Sequence, residues 1–179
     1  MQILHSKIYG EDKPGTPLLV FHGLFGMLDN WGSFGKEMGE LFPVHLIDLR
    51  NHGKSFHSEE MTHDDLAHDI SHYMEFHHIE KANLLGHSLG GKAVMQFAIK
   101  YPIKVQKLIV VDIAPKAYPP HHQGILKALE SVDFEKITTR QEAEEVLQQY
   151  IPEKSVIQFL AKNLYWKEDK KLAWRFNLK

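Results

Sequence analysis

Residues 83–94 read NLLGHSLGGKAV, a serine with glycines two places before and two places after it. A serine hydroxyl attacks an acyl carbonyl only when a base takes its proton and when nothing crowds the oxygen. In the pattern G-x-S-x-G a strand turns sharply into a helix and lifts the hydroxyl, here that of Ser88, above the C-terminal edge of a sheet. Such a bend holds the serine in an unfavoured backbone region at a cost of roughly 1–3 kcal/mol. Neighbouring backbone must then pass close by, which explains glycine at 86 and at 90. A helix opening at Ser88 also points unpaired N–H groups toward the site and favours negative charge there. The five-residue pattern alone recurs by chance, and its bland alternative is a glycine-rich turn with an incidental serine.

Acyl transfer needs, in addition, two preorganised N–H donors for the oxygen that becomes anionic. One comes from the residue after the nucleophile, Leu89, and the other from a loop after an earlier strand. FHGLFG at 21–26 is placed to supply the second donor from Leu24. Phe25, Met27 and Trp31 around that loop either line an acyl pocket or pack in the core. Asp112 interrupts the apolar run KLIVVDIAP at 107–115. Burying an unpaired carboxylate is costly, so Asp112 reads as a functional acid or as a cap where the strand exits. DLRNHGKS at 48–55 reads as a polar turn, and Asp48 within it is given no catalytic role.

These residues must be carried by a scaffold. PLLVFHG (17–23), ANLLGHS (82–88) and KLIVVDIAP (107–115) are short apolar runs without alternation that stop at Gly or Pro, and VHLIDLR (44–50) is a less apolar fourth. They predict strands buried on both faces, as in a parallel sheet. Helical patterns fall between them: one from Asp29 or Asn30 to about Leu41, one opened by Thr62 and Asp65 and running to His78, and one from Ser88 to Tyr101. Strand alternating with helix predicts a doubly wound α/β sheet with right-handed crossovers. Residues 3–9 alternate weakly, as an edge strand would. Beyond the breaker cluster YPPHHQG, the chain reads as helices with no strand as far as Trp174. These are about 123–131, then TRQEAEEVLQQY with a Thr139/Glu142 capping box, then EKSVIQFLAKNLYW. The predicted division is a core part at 1–115, a helical cap at 116–174 and the start of a return to the core at 175–179. The aromatics Phe159, Tyr165, Trp166 and Trp174 recur at roughly helical spacing and read as the core of the cap.

Together FHGLFG, DLRNHGKS, LLGHSLGG and VVDIAP resemble the α/β-hydrolase fold, and in that combination the YbfF-type esterases of bacteria and their relatives, which carry a helical cap. The resemblance covers essentially the whole chain. It implies Ser88 as nucleophile, Leu24 and Leu89 as oxyanion donors, and Asp112 as a triad acid placed unusually early. It also implies a histidine that follows the acid in the order Ser, Asp, His. After Asp112 the chain holds only His121 and His122, and neither follows a late strand. The catalytic histidine is therefore expected beyond residue 179, after one or two further apolar strands, with the chain an N-terminal part of a longer enzyme. His87 is expected to turn away from the site, and His22 to steady the oxyanion loop.

The activity so implied is that of a serine hydrolase, using no cofactor, on a small-molecule carboxylic ester or acyl thioester. C–C bond hydrolysis and cofactor-free haloperoxidation remain open on the same scaffold, while Ser88 argues against the dehalogenases and epoxide hydrolases that place an aspartate at the elbow. A non-catalytic ligand-binding protein is the alternative outside enzymes. A net charge of −2 with interspersed signs offers no basic footprint for nucleic acid and no polybasic segment for a membrane. The longest apolar run, LIVVDIA, is far too short to span a bilayer, and residues 1–10 lack a signal-peptide pattern, so a cytoplasmic protein is expected. There is no cysteine for a disulfide or a thiolate. His68 and His72 share a helix face, but with no third ligand and no H-E-x-x-H they predict no metal site.

Overall fold

Each of the apolar runs becomes a strand in the computed structural model, which describes residues 2–119, 122–167 and 171–178. The first of two units, Met1–Pro115, holds β1 (Ser6–Tyr9), β2 (Leu18–Phe21), β3 (Val44–Ile47), β4 (Ala82–His87) and β5 (Val105–Val111) in the order β1-β3-β2-β4-β5. β1 runs antiparallel to β3 at one edge, and the β2–β3, β2–β4 and β4–β5 pairs are parallel. The crossovers are made by α1 (Gly32–Met38), α2 (His63–Phe76) and α3 (Leu89–Lys100). This is the mostly parallel α/β sheet that the sequence predicts.

Alternate residues of a strand face opposite sides of its sheet, and the core divides accordingly. Leu19 and Phe21 of β2 pack with Ile70 and Tyr73 of α2 and Phe97 of α3. Leu18 and Val20 pack with Leu46 and Leu85 and, from Leu28–Trp31 and α1, with Trp31, Phe34 and Met38. Both faces of β2 and β3 are thus covered. β5 departs from the expectation of double burial, with Leu108 40% and Ile109 44% exposed. It is the outer strand, paired among the described residues with β4 alone. α2 begins as expected: the Asp65 N–H donates to Thr62 Oγ1 (3.1 Å) and the Thr62 N–H to Asp65 Oδ2 (2.8 Å). The helix predicted from Asp29 or Asn30 starts later. Residues Leu28–Trp31 wind into a tighter 3₁₀ turn in which Asn30 Oδ1 accepts the Met27 N–H (2.8 Å), and α1 stops at Met38, before Gly39.

The second unit, Lys116–Lys179, contains α4 (Gln123–Glu130), α5 (Arg140–Gln148) and α6 (Lys154–Ala161). The expectation of helices without strands is wrong here, because β6 (Leu164–Trp166) and β7 (Leu172–Trp174) form an antiparallel pair. The Arg140 guanidinium donates to the carbonyls of Ala161 (3.3 Å) and Leu164 (2.6 Å), taking acceptors that another helical turn would need. Leu-Tyr-Trp also suits a strand. Trp174 stacks on Phe176 (5.2 Å) and meets the edge of Phe134 (5.5 Å), so its aromatic packing comes from the hairpin and not from a helical stripe.

Candidate active site

β3 and β4 lie on opposite sides of β2, so the connections reverse direction there, and the C-terminal ends of β2 and β4 flank the crevice where open α/β sheets bind ligands. Backbone strain collects at that edge. Among the described residues, five that are not glycine have positive φ, and four of them follow the four parallel strands: Phe25 (58°) after β2, Asn51 (63°) after β3, Ser88 (49°) after β4 and Asp112 (54°) after β5. Residues held in such conformations persist only where the surroundings impose them, and they cluster at functional sites.

Ser88 stands at the junction of β4 and α3 with φ 49° and ψ −110°. Its N–H donates to the Val111 carbonyl of β5 (3.0 Å), and the Gly90 N–H donates to the His22 carbonyl (3.1 Å). The elbow is thereby tied to both neighbouring strands. A Cβ on Gly86 would press on the backbone of Gly90 and Gly91, and a Cβ on Gly90 would press on the carbonyls of Phe21 and His22. These contacts are backbone to backbone and have no easy relief. Gly90→Ala should therefore cost about 1–3 kcal/mol, the usual range for overpacking, read as a lower urea midpoint. A midpoint equal to the parent's would mean that the elbow and the β2 loop do not touch. The Ser88 side chain is half-buried, and among the described residues its hydroxyl has no hydrogen-bond partner.

The loop after β2 comes directly beside it: a Cβ on Gly23 would lie 3.3 Å from Ser88 Cβ and 2.8 Å from His87 Nδ1. Leu24 follows in a turn closed by Gly26 N–H to Gly23 carbonyl (2.9 Å). Leu89 is the first residue of α3, where an N–H has no acceptor in a preceding turn. The structure thus brings Ser88, Leu89 and Gly23, the residue before Leu24, to one corner. Phe25 is buried, and Trp31 is half-buried with its ring 6.5 Å from that of His87 and edge-on to Phe34 at 5.5 Å.

Asp112 is one residue past β5, and its side chain is 88% exposed, with His87 Nε2 3.9 Å from its carboxylate. Asp112 thus lies at the exit of the strand, exposed like Leu108 and Ile109 of β5 itself. The half-exposed ring of His87 lies between Gly23 and Asp112. His122 precedes α4 in the second unit, and His121 lies outside the described residues. His68 meets Lys100 Nζ (3.4 Å) across α2 and α3.

The residues that sequence reasoning missed are in DLRNHGKS. Far from a solvated turn, Asp48, Arg50, Asn51, His52 and Ser55 are all buried. Arg50 forks onto Asp69 of α2 (2.6 and 2.8 Å), and the Ser55 hydroxyl donates to the Asp48 carbonyl (2.6 Å). The only local signal was the density of hydrogen-bonding side chains beside a glycine.

Three imidazoles are buried without an anionic partner. Burial, with His52 nearby, pushes His22 down to about 3, and burial pushes His45 and His52 down to about 4. The His22 Nε2 to Asp48 distance of 4.0 Å is accordingly no ion pair, since the ring is neutral. Groups neutral in the fold and basic at 6.5 when unfolded let the unfolded chain bind more protons below that pH. Their contribution is intact above pH 6.5 and is withdrawn as pH falls from 6.5 to about 4, on the order of several kcal/mol in all. Asp48, raised by its own burial, opposes this with one proton against three. The urea midpoint, followed by tryptophan fluorescence, should fall steadily from pH 7 to 4.5. A flat midpoint over that range would contradict the burial of these rings.

The sequence model of the alpha/beta hydrolase fold family matches residues 16–142. The sn-1-specific diacylglycerol lipase ABHD11 of Danio rerio is 39% identical over 171 residues, 91% of this chain and 54% of that protein. Esterase YbfF of Escherichia coli (strain K12) is 36% identical over 164 residues, 91% of this chain and 63% of that protein. Among solved structures, a marine microorganism esterase superposes with a TM-score of 0.95 at 40% identity, covering 99% of this chain and 70% of the other. The chain thus spans 54–63% of the length of these two curated relatives. No described helix is long and apolar enough to cross a membrane.

Proposed function

The chain belongs to the alpha/beta hydrolase fold family, and from that premise we propose that it is the N-terminal part of a serine hydrolase that cleaves carboxylic esters or acyl thioesters through an acyl-enzyme on Ser88. The observation that carries this is the elbow: Ser88 held at φ 49°, at the N-terminus of α3, against a loop bonded to Gly90. Ser88 Oγ attacks the acyl carbonyl and gives its proton to a histidine supplied from beyond residue 179. The carbonyl oxygen, now anionic, is held by the N–H groups of Leu24 and Leu89, while Asp112 orients the imidazole. Collapse expels the alcohol or thiol, which takes the proton back from the imidazolium. The same histidine then deprotonates water, which attacks the acyl-enzyme; collapse breaks the Ser88 Oγ–acyl bond, the imidazolium returns the proton to Oγ, and the acid is released. These steps call for no cofactor. Trp31 and Phe25, flanking the corner, are proposed to shape the acyl side of the site.

The names of the relatives, esterase and lipase, support an ester as the substrate. The test is to treat the complete protein with a fluorophosphonate and to map the adduct by peptide mass. Phosphonylation of Ser88 is expected, together with release of acid from an aryl ester or an acyl thioester. A protein that remains unlabelled is a ligand cradle and not a serine hydrolase.

A further inference from the structure

Two consecutive residues of the loop after β3 hold both ends of the oxyanion loop. At its start, the Leu49 N–H donates to His22 Nε2 (3.0 Å), and the other ring nitrogen, carrying the proton, donates to the Gly23 carbonyl (2.8 Å). His22 is 1% exposed. At the other end, Asp48 Oδ1 accepts the Leu28 N–H (2.7 Å). The second Asp48 oxygen accepts the Lys54 N–H (2.9 Å), so the carboxylate cannot rotate without losing a bond. Gly53, at φ 56°, has no room for a Cβ because that carboxylate occupies the space. The loop is itself anchored, through Ser55 Oγ to the Asp48 carbonyl and through the His5 N–H to Ser55 Oγ (2.9 Å).

We propose that Asp48 and His22 are positioning residues: they staple residues 22–28 to the loop after β3, on the side of β2 opposite β4, and so fix the Leu24 N–H where the oxyanion forms. The inference rests on the proposed hydrolase reading, in which Leu24 is a donor. A donor stabilises developing charge best when it need not reorganise as the charge forms. Displacing such a group by about 1 Å lowers rate by up to about 10²-fold. Neither Asp48 nor His22 has to touch substrate to exert that effect.

The test compares His22→Phe and Asp48→Asn with the parent, in the complete protein, with His22→Gln as the conservative variant. Asparagine keeps an oxygen for Leu28 but turns an amide N–H₂ toward the Lys54 N–H. Both disruptive variants should lower kcat about 10- to 100-fold with KM within about threefold. Inhibition by a trifluoromethyl ketone, which captures the serine as a tetrahedral oxyanion, should weaken in the same proportion. Glutamine, able to accept from Leu49 and to donate, should recover part of both. Amide hydrogen exchange over residues 24–28 should rise at least about tenfold while exchange in α2 and β3 stays unchanged. Unchanged kcat and inhibition in both variants, or exchange that rises equally throughout the core, would overturn the staple. If the parent does not react at Ser88, the hydrolase reading fails instead, and the exchange measurement alone decides the staple.

Discussion

Ser88→Ala in the complete protein is expected to lower kcat for a short-chain aryl ester roughly 10⁶-fold, the scale seen when the nucleophile of a cooperating array is removed. The rate should not fall to that of water, because the oxyanion donors and substrate binding survive the change and sustain a residual acceleration of about 10³–10⁴. Stability should stay within about 1 kcal/mol of the parent. The hydroxyl has no hydrogen-bond partner among the described residues, and alanine meets the same strain at φ 49° as serine does. The measurements are p-nitrophenolate release, intact mass after fluorophosphonate treatment, and the urea midpoint. Turnover at the parent rate, with the fold intact, would remove Ser88 from the chemistry.

What could be read in advance, and what could not, follows from where the information lies. β2, β3 and β4 announced themselves because a strand covered on both faces has no polar alternation, and that pattern is local. Gly86 and Gly90 were legible because only close backbone approach explains a bare Cα on either side of a serine, and the contacts with Gly90, Phe21 and His22 carbonyls are that approach. β5 looks the same in sequence, yet Leu108 and Ile109 are exposed, because burial depends on what lies beside a strand and not on its composition. The loop 48–55 misled for the opposite reason. Its side chains are polar enough for solvent, and their partners, the amides of Leu28 and Lys54 and the carboxylate of Asp69, are met only in the folded chain, so no residue-by-residue pattern reveals them. β6 and β7, three residues each, are too short for a period to register.

Asp112→Asn is the second large effect, an expected loss in kcat of about 10⁴-fold with little change in stability. An asparagine in the acid position keeps the shape but presents an amide that favours the wrong tautomer of the histidine it faces. The structure leaves few competitors for that role nearby. Asp48 is 2% exposed, and its carboxylate is turned to the backbone N–H groups of Leu28 and Lys54, away from any incoming imidazole. Asp69 is held in the fork of Arg50. Asp112 instead projects from the end of β5, where Val111 already bonds the Ser88 N–H, on a backbone strained to φ 54°. A residue held in that conformation persists only where its surroundings impose it, and placement of the carboxylate beside the Ser88 elbow is a physical rationale for it. Asparagine keeps the size and shape of the side chain, so the free energy of unfolding should change by less than about 1 kcal/mol. A change that leaves folding alone and removes four orders of magnitude in rate can only be chemical. If kcat stays within twofold of the parent, Asp112 is a strand-exit cap, and the acid must be sought elsewhere in the complete protein.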